Sequence, residues 1–73
     1  MKVPIVLERN REGGYTARCP ALRGCISEGD TKAEAIANIR EAIRLYLRAV
    51  TKEHLLLKRE KPTRDVEALE VAV

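Results

Sequence analysis

The stretch PALRGCISEGDTKAEAIANIREAI, residues 20–43, constrains the fold of this chain most, because a bend, a turn and a helix start follow one another in it without slack. Pro20 cannot donate to a strand ladder, Gly24 permits a further reversal, and Glu28-Gly29-Asp30 leads into a helix. Thr31 and Glu34 then make a capping box, in which the hydroxyl accepts from the third helical amide while the carboxylate reaches back. Asp30 and Glu34 also set negative charge at the positive end of the helix dipole.

Downstream of that cap, Ile36, Ile39, Ile43, Tyr46, Leu47 and Val50 recur at spacings of three and four, so one helix face is apolar and should lie on a sheet. The opposite face carries Arg40, Arg44, Arg48 and Lys52 at steps of four, spreading cations over about 18 Å. Glu41, three residues before Arg44, compensates part of that charge.

Strands are expected before the bend. Val3, Ile5 and Leu7 alternate with Pro4, Val6 and Glu8, the pattern of a first strand with one buried face, and Pro4 suits a strand start or an edge. Asn10 and Gly13-Gly14 turn the chain, and Tyr15, Ala17 and Cys19 alternate with Thr16 and Arg18 in a second strand. Cys25–Ser27 is a brief third strand. After the helix, His54–Lys61 reads as a short second helical turn bearing Leu55, Leu56 and Leu57 and stopped by Pro62, and Leu69, Val71 and Val73 alternate in a final strand. The predicted fold class is α+β: a three-stranded antiparallel meander, one main amphipathic helix packed on it, and a last strand added at one edge (β-β-β-α-(α)-β).

A chain of 73 residues is one small domain with a thin core, so association with itself or with a partner is the expected source of added stability. A hydrophobic content of 45% with 34% charge argues against general disorder. No run is long enough to span a membrane, and Glu8 and Arg9 cut short the apolar start, which excludes a secretory signal and leaves a cytoplasmic location. Cys19 and Cys25 then read as free, buried thiols, and with His54 the only histidine no metal site is expected. A net charge of +3 means that an anionic partner must see a local patch, and two tyrosines are too few for base-stacking recognition of RNA.

Gly14-Tyr15, Cys19-Pro20-Ala21-Leu22, Gly24-Cys25, Gly29-Asp30-Thr31, Glu34-Ala35 and Asn38-Ile39 stand in an order and spacing that resembles the HicB-like antitoxins over most of residues 3–50. The resemblance implies a partial RNase H-like fold. It also implies a type II toxin-antitoxin role, in which a HicA-like RNA-cleaving toxin is neutralised by direct binding. The expected organisation is a single domain over 1–73, without the C-terminal DNA-binding module of longer members, assembled as a dimer or tetramer.

Within this pattern Gly14, Pro20, Gly24, Cys25, Gly29, Asp30, Thr31 and Glu34 have structural readings as turns, packing and cap, and Asn38 is expected to bond the bend after Pro20. The candidate partner-binding residues lie beside them: Arg18 and Arg23, exposed on the strand and bend, and Arg40, Arg44, Arg48 and Lys52 on the helix. No cofactor and no catalysis are expected. Of the acids Glu8, Glu28, Asp30 and Glu34, two are already employed at the cap, and two-metal phosphoryl chemistry needs several converging on cations about 4 Å apart. Two alternatives stand beside the antitoxin reading: a nucleic-acid contact through the basic helix stripe, and a degenerate RNase H-like nuclease.

Overall fold

The computed structural model describes residues 1–49 and 61–73. The expected second helical turn, its three leucines, Val50 and Lys52 therefore lie outside the described residues. The elements are β1 (Lys2–Arg9), β2 (Tyr15–Arg18), β3 (Ile26–Gly29), α1 (Lys32–Ala49) and β4 (Val66–Ala72). All strand pairs are antiparallel and the sheet order is β3-β2-β1-β4, the meander with its last strand added beside the first.

The ladder ends reveal how β1 accommodates a proline. At one end of the β1–β4 pair Met1 and Val73 exchange backbone hydrogen bonds of 3.2 and 2.9 Å, and at the other Arg9 N donates to Asp65 O at 3.0 Å. Backbone groups in a strand alternate sides, so Val3, Ile5 and Leu7 turn theirs to β4 and Pro4 turns its own toward β2. There β2 has already ended, at Arg18 opposite Val6. The missing amide therefore breaks no ladder bond, and the Pro4 carbonyl is met by the Cys19 Sγ–H at 3.7 Å. Pro4 thus sits in a central strand, and the expectation of an edge or strand start is corrected. The expectation of one buried face is corrected with it: Pro4 and Val6, which alternate to the side away from the helix, are buried too.

The core lies between the other sheet face and α1. Val3, Ile5, Leu7, Ala17, Cys19 and Val71 from the sheet meet Ala35, Ile39 and Ile43 from the helix, with Leu22 and Cys25 closing one end. Ile36, Tyr46 and Leu47 flank this set half-buried. Burying an aliphatic side chain of this size stabilises by about 1.5–3 kcal/mol, so Ile39 and Ile43, both fully buried, anchor the helix.

Ala35 was no part of the expected apolar face, yet it too is fully buried. Its small side chain belongs to a close crossing of α1 over β3. A Cβ placed on Gly29 would stand 2.4 Å from the Ala35 amide nitrogen and 2.7 Å from the Glu34 Cβ. The helix starts as expected: Glu34 N donates to Thr31 Oγ1 at 3.1 Å, and the Glu34 carboxylate accepts from the Asp30 amide at 2.9 Å. Asn38 departs from expectation. Its Nδ2 donates 2.7 Å to the Glu28 carbonyl of edge strand β3, since the close crossing brings that strand, and not the bend after Pro20, under the middle of the helix.

Candidate partner-binding surface

The loop from Cys19 to Cys25 is tied by its own backbone. Leu22 N donates to Cys19 O, Cys25 N to Leu22 O and Cys19 N to Cys25 O, each at 3.0 Å. Pro20 presets the first of these turns, and Gly24, at φ 79°, supplies the left-handed residue that the return requires. The result is a rigid tip at one end of the sheet with the Leu22 and Cys25 side chains beneath it.

Three side chains surround this tip. Arg23 is exposed on it, and Arg18, at the end of β2, is partly buried and already has an interaction of its own, so the expectation of an exposed Arg18 is corrected. Ile26 opens β3 and is 56% exposed. Sequence reading passed over Ile26, although the signal was present. If Cys25 and Ser27 face the helix, strand alternation turns the residue between them outward. Ile26 and Arg23 thus leave an apolar and a cationic side chain exposed together on this tip.

The helix stripe is less uniform than its spacing suggests. Steps of four advance about 400°, so each cation is displaced about 40° around the helix from the last. Arg40 consequently lies at the margin of the packed face, where its Nε donates 3.1 Å to the Ala72 carbonyl and ties α1 to β4. Arg44 is exposed, 3.9 Å from Glu41, and Arg48 is exposed in the last turn. Exposed Leu45 shares that outer surface, so cations, an acid and an apolar side chain alternate there.

The acids divide between structural and surface roles. Glu34 serves the cap, and Glu8 and Glu28 stand on either side of Thr16 across three strands, about 10 Å apart at strand spacing. Among the described residues no group of three or more His, Cys, Asp or Glu is placed to hold a metal ion, and no helix is long and apolar enough to cross a membrane. At the opposite end of the core, Lys32 pairs with Glu67 at 2.6 Å and lies 6.0 Å from the Tyr15 ring centre. The hydrogen bond and charge of Glu67 hold the Lys32 ammonium above its ordinary range.

Residues 3–70 match the family described as HicB_like antitoxin of bacterial toxin-antitoxin system. The chain is 50% identical over 56 residues to the UPF0150 protein ssr1765 of Synechocystis sp., covering 77% of this chain and 71% of that protein. It is 38% identical over 60 residues to the UPF0150 protein Ta0767 of Thermoplasma acidophilum, covering 82% and 87%. Similarity extends to a 14.9 kDa protein of the rep-hol intergenic region of Haemophilus phage HP1, at 34% over 62 residues, 85% of this chain and 46% of the phage protein.

Proposed function

The chain belongs to the HicB-like antitoxin family, and from that premise we propose that it is a non-catalytic module that neutralises a HicA-like RNA-cleaving toxin by direct binding, through the tip between β2 and β3. The observation that carries this reading is Ile26, 56% exposed at the start of an edge strand on a loop braced by three backbone hydrogen bonds. A braced apolar contact needs little ordering on binding, which is where affinity between proteins is usually lost. Arg23 beside it favours an acidic rim on the partner, with Arg18 flanking the same tip.

The test is binding to the small toxin-like product of the neighbouring reading frame. Ile26→Asp and Arg23→Glu should each weaken the complex at least tenfold and restore RNA cleavage, whereas Arg44→Glu with Arg48→Glu should change it less than threefold. Loss of binding in the helix variant alone would move the site to α1. The nucleic-acid reading draws less support, because Arg40 is committed to β4 and Glu41 interrupts the cations. It predicts an affinity that falls steeply with salt.

A further inference from the structure

The same loop brings two cysteines opposite each other. Residues 15 and 29, then 17 and 27, are partners in the β2–β3 ladder, and continuing that register places Cys19 opposite Cys25. The 3.0 Å hydrogen bond from Cys19 N to Cys25 O shows that the register does continue. Both side chains lie on the helix-facing side, within the same buried cluster as Ala17. Directly opposed residues of this kind have Cα atoms about 5.5 Å apart, in the middle of the range that a disulfide spans. Both cysteines are free, 3% and 5% exposed, and both line a cavity of about 160 Å³ whose lining includes the exposed Arg23 and Ile26.

We propose that Cys19 and Cys25 are a redox-active pair that closes to an intrachain disulfide inside the folded domain when a peroxide reaches this cavity. One sulfur takes an oxygen as the peroxide O–O bond breaks and water leaves. The other sulfur then displaces that oxygen as a second water. Two thiols and one hydrogen peroxide thus give one disulfide and two waters, and the opposed partner traps the first sulfur before further oxidation. Closure removes the Cys19 Sγ–H that meets the Pro4 carbonyl and fastens the tip by a covalent bond in place of that contact. This chemistry rests on the loop alone and stands whether or not the tip binds a toxin.

Hydrogen peroxide added to the reduced native protein, followed by mass spectrometry, tests this. The expected product is monomeric, 2 Da lighter and without alkylatable thiols. Trypsin then releases residues 19–23 and 24–32 as one disulfide-linked pair, reversible by dithiothreitol. Cys25→Ser should give an oxygen adduct or a dimer instead. A native chain that stays reduced while the urea-unfolded chain closes, or that gains 32 Da as a sulfinic acid without first losing 2 Da, would overturn the proposal.

Discussion

At the scale of single residues, the two substitutions that most directly probe this fold are at glycines with different reasons for being glycine. A methyl at Gly29 meets the helix backbone, which cannot yield without lifting α1 off β3, so Gly29→Ala should cost about 3 kcal/mol or more in urea unfolding. At Gly24 nothing lies within 4 Å, and Gly24→Ala should cost only the left-handed backbone penalty, about 1–2 kcal/mol. The reverse order would mean that the helix–strand crossing is looser than described. Asn38→Ala loses a hydrogen bond of about 1 kcal/mol but gains helix propensity of about 0.6 kcal/mol, so stability should hardly change. Asn38→Asp points an acceptor at the Glu28 carbonyl and should be the less stable variant by about 1 kcal/mol. Burial pushes both thiols above the ordinary cysteine range, aided at Cys25 by the neighbouring Cys19 and opposed at Cys19 by the Ala21 and Leu22 amides. The folded chain therefore holds these protons longer than the unfolded chain. Stability from this source is intact below the ordinary thiol range and is lost as pH climbs through it, which denaturation at pH 7 and pH 10 would measure. Asn38 was recognisable as a structural residue in sequence, but its partner was not, because that partner is a backbone carbonyl with no side-chain signature.

At the scale of elements, the cap and the packed face of α1 contribute unequally. Thr31→Ala removes the acceptor for Glu34 N and should cost about 1 kcal/mol. Ile39→Ala opens a cavity where the residue is wholly buried and should cost about 2–5 kcal/mol, enough to unfold much of a domain this small. Thermal melts of the two variants should differ accordingly, and near-equal melting temperatures would contradict the packing. Both features were legible because a cap and an amphipathic period are local patterns. The stripe of cations was legible only as spacing. Which arginine turns back to a strand depends on where β4 runs, and α1 reaches β4 only through a pairing made far along the chain.

At the scale of the whole molecule, a chain of 73 residues has a thin core, so association is the expected source of added stability. Light scattering of the isolated chain should show association beyond the monomer, and a strictly monomeric species would leave a different partner as that source. The sequence by itself determined the order of elements, the antiparallel meander, the helix cap and the family, since each is written in neighbours a few residues apart: proline and glycine punctuation, periods of two and three to four, and a Thr–Glu pair. Only the tertiary structure decided that β1 is central and buried on both faces, that Pro4 falls where no ladder bond is missed, that Ile26 stands exposed beside Arg23, and that Cys19 and Cys25, with five residues between them, stand opposite each other. Each of these depends on register between strands, and register is set by the sum of long-range packing over the whole sheet.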